Sequence, residues 1–189
     1  LYKIEKNKIV IRSDYFNMGN KEMGKHALKA ENIYFKYFNS EDFIFEDLTI
    51  KFEKNKHTLI TGPNGTGKST ILGILSGVLY PEKGNVSSFT DKFGYIGVTP
   101  LIISGTLREN LSYGSQIDIS DEEMLEIIDK FQLFNEKVED LLDMNISNTT
   151  LSSGQMQKVS FMRVLLSKVK ILFLDESTSN LDDTSREMI

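Results

Sequence analysis

The stretch Gly62-Pro63-Asn64-Gly65-Thr66-Gly67-Lys68-Ser69-Thr70 constrains this 189-residue chain more than any other. It follows the pattern G-x-x-x-x-G-K-[ST], a phosphate-binding loop, or P-loop. Such a loop works between a strand and a helix. His57 to Thr61 (HTLIT) reads as the strand, and Lys68 to Val78 as the helix. Glycine lets the backbone curl round a phosphate chain with no Cβ in the way. The turn's N–H groups and the helix dipole then face negative charge. Lys68 is placed to reach β- and γ-phosphates, and the Ser69 hydroxyl to ligate Mg²⁺. The plainer alternative is a glycine-rich turn that caps a helix.

A second segment answers the first. Ile171-Leu172-Phe173-Leu174-Asp175-Glu176 is an apolar run ending in two acids. The run reads as a buried parallel strand. Carboxylates at the C-terminal end of such a strand stand where open α/β sheets bind ligands. Asp175 can hold Mg²⁺ through water, and Glu176 is placed to polarise an attacking water. Upstream, Leu151-Ser152-Ser153-Gly154-Gln155 opens a helix expected to run to about Lys168. Two readings stay open there. Ser152 with Gln155 spells an S-x-x-Q capping box, which ordinary helix capping explains. The same helix N-terminus also suits a second anion site aimed at a γ-phosphate.

The rest of the chain frames these motifs. Leu28 to Tyr37 and Phe43 to Phe52 are rich in aromatic and β-branched residues. They predict two strands around the turn Asn39-Ser40-Glu41-Asp42. With the strand into the P-loop, that makes a small antiparallel sheet beside an α/β core. Tyr80 to Asn85 predicts a turn, and Lys92 to Ile96 a short strand. Residues 106–145 read as a helical insertion. Ser120-Asp121-Glu122-Glu123 is a capping box. Met124, Leu125, Ile127, Ile128 and Phe131 follow it at helical spacing, and more helix is expected through Val138 to Leu142. Residues 1–27 are expected to be a linker from a preceding region. The first thirty residues hold seven basic side chains against three acidic ones. They read as a solvated tail or as a segment beside a membrane.

Composition narrows the classes. The net charge of −5 argues against a general nucleic-acid binder. Cysteine is absent, which excludes disulfides. The longest apolar-looking run, Ile71 to Tyr80, is too short to span a bilayer. The chain begins at Leu1 and stops at Ile189 inside a helical-looking pattern, so a fragment of a longer polypeptide is expected.

The P-loop, then LSSGQ, then ILFLDE, in this order, resembles the ATP-binding-cassette (ABC) family over about residues 28–189. Ser104-Gly105-Thr106-Leu107-Arg108-Glu109-Asn110-Leu111 is similar to the SGTxREN segment of exporter-type cassettes. The resemblance implies an α/β fold: a P-loop NTPase core with an antiparallel β subdomain and a helical subdomain, truncated at its C-terminus. It implies ATP and Mg²⁺ as cofactors. Tyr37 matches the aromatic that stacks on adenine, with Tyr34 as the fallback. Gly62, Pro63, Asn64, Gly65, Thr66, Gly67, Lys68, Ser69 and Thr70 match the Walker A motif. Ser152, Ser153, Gly154 and Gln155 match the signature that contacts ATP held by an opposite cassette. Asp175 and Glu176 match the Walker B acid and the catalytic glutamate. Ser69 and Asp175 would thus serve the metal, and Lys68 and Glu176 the catalysis. Ser179-Asn180-Leu181-Asp182 resembles the D-loop.

The implied protein is the ATPase module of an ABC exporter. It would pair with a second cassette, like or unlike itself, and with a fused or separate transmembrane domain. It would lie on the cytoplasmic face of a membrane and bind no nucleic acid. Three departures qualify this. Val98 stands where a Q-loop glutamine is expected, and Val has no oxygen for a metal. Ser153 replaces the signature's first glycine. The switch histidine is not reached, and His26 and His57 read as structural. This chain alone is therefore expected to hydrolyse ATP weakly or not at all. The rival readings are a degenerate cassette that binds ATP beside an active partner, and a soluble ABC-type ATPase.

Overall fold

The apolar alternation near residue 30 does become a strand, two residues earlier than its spelling indicates. The computed structural model describes residues 2–5, 8–11, 15–134, 139–176 and 185. They fall into two units, residues 1–93 and residues 94–189. The first carries β1 (Tyr2–Glu5), β2 (Lys8–Ile11), β3 (Phe16–Asn17), β4 (His26–Phe35), β5 (Phe45–Glu53), helix α1 (Lys68–Leu75) and β6 (Lys83–Ser88). β1 and β2 pair antiparallel. The other strands make one sheet in the order β3-β6-β4-β5, antiparallel except where β3 runs parallel to β6. Leu28, Ala30, Ile33 and Phe35 turn one face of β4 into the core. Val86 of β6 and Ile71, Ile74 and Leu75 of α1 are buried in the same unit.

Three expectations for this unit change. The range 1–27 is not simply a linker. It contains β1 and β2, joins the sheet through β3, and buries Met23. The predicted turn at Tyr80–Asn85 overlaps strand β6, whose sequence KGNVSS has weak strand propensity. Pairing with β4 overrides that preference. Gly84 adopts φ 92°, and a Cβ there would run into the Asn32 carbonyl of the β4 bulge. The glycine that reads as a turn signal is thus a close approach of two backbones. Finally, His57–Thr61 has no ladder among the described residues, and Leu59 is 85% exposed. An extended run becomes a strand only when a neighbour completes its hydrogen bonds.

The open end of the β4–β5 pair is closed by charge. Glu53 bonds Lys25 at 2.9 Å and also Lys56. These partners, Lys56 first, hold its carboxyl down at about 2, below the ordinary 4.5. A depressed acid stabilises the fold above its unfolded pKa and loses that contribution as pH falls towards the folded value. Stability is therefore expected to decline between about pH 4.5 and 2, with Glu53→Gln flattening part of that decline. Acid unfolding curves at low and high salt check this, since an exposed pair weakens with salt.

The second unit contains β7 (Phe93–Ile96), β8 (Gly105–Thr106), α2 (Leu107–Ser112), α3 (Asp121–Lys130), a 3-10 turn at Leu141–Asp143, β9 (Asn145–Ile146), α4 (Ser153–Leu166) and β10 (Ile171–Leu174). β7 pairs with β10, and β8 with β9. The helices enclose one core that includes Leu107, Leu111, Met124, Ile128, Phe161 and Met162. Both expected capping boxes form: Ser120 with Glu123, and Ser152 with Gln155. Of the α3 stripe, Met124, Ile128 and Phe131 are buried while Leu125 is 45% exposed. The helix expected at Val138–Leu142 is a single 3-10 turn from Leu141, and Val138 lies outside the described residues. In β10 only Phe173 is buried, and Leu174 is 37% exposed.

Asn110 pins this unit. It is fully buried, and its side chain bonds the Ile103 N–H at 3.0 Å, the Ile103 carbonyl at 2.9 Å and the Thr106 carbonyl at 3.0 Å. Arg163 of α4 donates to the Asn110 carbonyl at 2.7 Å and to the Leu101 carbonyl at 2.9 Å. Removing the amide takes these three contacts from part-buried backbone groups of Ile103 and Thr106. Asn110→Ala is expected to cost about 2–3 kcal/mol, measured by urea unfolding.

Candidate functional site

In the first unit the P-loop stands exposed ahead of α1. The helix begins with Gly67 at φ 90°, in the left-handed region, and as a glycine this residue brings no capping side chain of its own. A helix N-terminus opened by glycine suits an anion. Thr66 Oγ1 donates to the Pro63 carbonyl at 2.9 Å. Lys68 Nζ donates to the Gly62 carbonyl at 3.0 Å and the Pro63 carbonyl at 2.9 Å. The ammonium is thereby folded back over the start of its own loop.

Gly67 is required twice over. Its backbone is left-handed, and a Cβ would come 2.8 Å from Phe45 Cζ and 2.9 Å from Ile44 Cγ2. Gly67→Ala is expected to destabilise the unit by about 1–3 kcal/mol. Because it displaces the first turn of α1, nucleotide affinity should fall at least tenfold. Calorimetric titration with ATP, beside a thermal melt, separates the two effects.

Tyr37 lies beside this loop. Its hydroxyl shares a hydrogen bond with Thr70 Oγ1 at 2.8 Å, and its ring meets Phe35 edge to face at 5.1 Å. The residue is 48% exposed, so one end is anchored while ring surface remains open for stacking. Tyr34 is occupied elsewhere, edge-on to Phe43 and beneath the Lys83 ammonium. Of the two aromatics, Tyr37 is the one joined to the loop's helix.

The second unit holds the acids. Asp175 follows β10, is 7% exposed, and its N–H donates to the Ile96 carbonyl at 2.9 Å. Tyr95 of β7 donates its hydroxyl to Asp175 Oδ2 at 3.1 Å. Burial, and then the Asp175 charge, push the phenol up to about 12, so it remains a protonated donor. Glu176 comes next, with φ 49°. A non-glycine residue there is strained, and such strain clusters at functional sites. Val98 is 55% exposed and offers no polar atom. Sequence reading missed Tyr95. Its one signal in the sequence is an aromatic within the strand expected at Lys92 to Ile96.

At the head of α4 the capping box forms. Gln155 Oε1 accepts from the Ser152 N–H at 2.9 Å, and Ser152 Oγ accepts from the Gln155 N–H at 3.2 Å. Gln155 Nε2 also donates to the Leu133 carbonyl at 3.2 Å. The capping box is real. Ser152 and Ser153 are nonetheless exposed, with Gly154 half-buried, so the helix N-terminus still meets solvent. Ser179 to Asp182 lie outside the described residues. His57 is exposed, and His26 Nδ1 is buried without a hydrogen-bond partner.

Hard oxygens of the type that Mg²⁺ takes are present in each unit. No group of three or more His, Cys, Asp or Glu able to hold a metal occurs among the described residues. Magnesium does not need one, because it binds through one or two protein oxygens plus substrate phosphates and water. The Ser69 hydroxyl in the first unit and the Asp175 carboxylate in the second are each a hard oxygen of that kind.

Comparison with known proteins follows this geometry. A family profile described as ABC transporter matches residues 45–179. The ATP-dependent permease MDL1 of Candida albicans is 36% identical over 166 residues, covering 79% of this chain and 24% of that protein. A multidrug resistance ABC transporter ATP-binding and permease protein of Lactococcus lactis is 31% identical over 179 residues, covering 86% of this chain and 30% of that protein. This chain thus spans only about a quarter to a third of the length of these relatives. The structure of a bacterial Atm1-family ABC exporter with ATP bound superposes with a TM-score of 0.76 at 23% identity. It covers 91% of this chain and 33% of that one, and with the family profile it shows the fold to be that of a P-loop NTPase.

Proposed function

Because this chain belongs to the ABC transporter family, we propose that it is the ATP-binding and ATP-hydrolysing module of an exporter. One observation carries the reading: an exposed P-loop leads into α1 through left-handed Gly67, with Tyr37 bonded to the helix at Thr70. ATP is the ligand with an adenine for Tyr37 and a phosphate chain for Gly62 to Thr70. Lys68 exchanges its loop carbonyls for phosphate oxygens. Bound Mg²⁺, with Ser69 and Asp175 as its protein oxygens, would neutralise charge on the phosphates. Glu176 orients water and takes its proton as the water oxygen adds to the γ-phosphorus. The bond to the bridging oxygen breaks, leaving ADP and inorganic phosphate.

Ser152, Ser153, Gly154 and Gln155 are proposed to meet ATP held by a second cassette, of this sequence or a related one. Burial of ATP between two cassettes, and its hydrolysis, would drive a fused or separate membrane domain from the cytoplasmic face. The regions of the relatives that this chain does not span leave room for such a domain. No described helix here is long and apolar enough to cross a membrane itself.

Val98 favours a second reading, a cassette that binds ATP but turns it over slowly beside an active partner. Steady-state turnover by the intact polypeptide decides between them. Retention of that polypeptide in membranes after an alkaline wash tests the exporter assignment. Release into the wash would count against a fused membrane domain.

A further inference from the structure

We propose that Tyr95 is a positioning residue for Asp175, fixing the orientation in which that carboxylate meets a divalent cation. The proposal rests on the reading of Asp175 as the metal acid. Consecutive residues of β7 grip Asp175 at two points. The Ile96 carbonyl accepts from its backbone N–H at 2.9 Å, and the Tyr95 hydroxyl donates to Oδ2 at 3.1 Å. The strand that supplies both contacts is itself fixed. Gly94 and Ile96 are buried, and a Cβ on Gly94 would come 2.7 Å from Val164 Cγ1, so β7 lies flush against α4. Tyr95, between them in sequence, points to the other face and is 38% exposed.

The chemistry of the pair explains why a tyrosine serves. The terminal torsion of an aspartate is soft and nearly two-fold, so a carboxylate without a fixed donor samples a broad range. A donor on Oδ2 selects one orientation. A phenol does so without adding a positive charge, which leaves the carboxylate's full charge for a cation. A lysine or arginine in the same place would offset it. Outer partners of this kind commonly tune metal affinity by one to two orders of magnitude.

Tyr95→Phe removes the hydroxyl and keeps the ring. In the intact polypeptide, Mn²⁺ binding in the presence of ATP is read from its paramagnetic resonance signal. ATP affinity is measured separately in EDTA. The expected result is a loss of about tenfold in Mn²⁺ affinity, with ATP affinity in EDTA and melting temperature unchanged. On an Asp175→Asn background the same substitution should add nothing. Wild-type Mn²⁺ affinity in Tyr95→Phe would overturn the proposal. So would an equal fall in metal-free ATP affinity together with a lower melting temperature, since that describes a merely structural tyrosine. If the unaltered protein takes up neither ATP nor Mn²⁺, the nucleotide reading fails, and the role of Tyr95 fails with it.

Discussion

Lys68→Ala is expected to lower ATP turnover by the intact protein about 10²–10³-fold, the cost of removing one preorganised donor from a developing charge. The structure says why the loss should be chemical rather than structural. Lys68 Nζ is held only by the exposed carbonyls of Gly62 and Pro63 among its described contacts. Water can replace it at both, so the melting temperature should scarcely move. Those two bonds also keep the ammonium at the loop in the absence of a ligand, which lowers the ordering cost when phosphate arrives. ATP affinity should weaken as well, and adenosine affinity should not, because the proposed stacking of adenine on Tyr37 is untouched. Calorimetric titration with both ligands, beside a phosphate-release assay, measures this. Equal ATP affinity in the variant and the parent would remove the P-loop from the binding site.

Glu176→Gln should separate binding from hydrolysis. The substitution keeps shape and size and removes the proton acceptor, so turnover is expected to fall about 10²–10⁴-fold. The backbone at Glu176 has φ 49°. Glutamine bears the same conformational cost there, so a large effect reports on the carboxylate rather than on the fold. ATP affinity should hold, and a nucleotide-bound cassette pair should accumulate because it is no longer hydrolysed apart. Size-exclusion chromatography with and without ATP detects that species. Turnover unaffected by the change would end the assignment of Glu176 as the base. Slow turnover already present in the parent, with a stable ATP-bound pair, would instead favour the degenerate cassette that Val98 brings to mind.

Much of this protein is decided by local sequence. The P-loop spelling needs only its own glycines to form its turn, and α1 opens where Lys68 begins it. The capping boxes at Ser120 and Ser152 close within four residues, so their helices start as spelled. The order of P-loop, LSSGQ and ILFLDE is enough to point to the family, and the matched profile agrees. What depends on residues far apart was not legible. Strand β6 exists because β4 pairs with it, against the preference of KGNVSS. His57–Thr61 has strand-like side chains, but strandedness belongs to a ladder rather than to a run. Asn110 read as part of a motif and acts as the buried pin of Ile103 and Thr106.

The site divides the same way. Sequence named the side chains proposed for the chemistry, because phosphate and metal select residue types. Only the tertiary structure decided their partners. It joined the Tyr37 hydroxyl to Thr70, 33 residues away. It brought Tyr95 to Asp175 across 80 residues. Spacing along a chain encodes contacts that a turn or a helix can close. Contacts closed by a sheet depend on which strands find each other, and no single stretch of sequence holds that information.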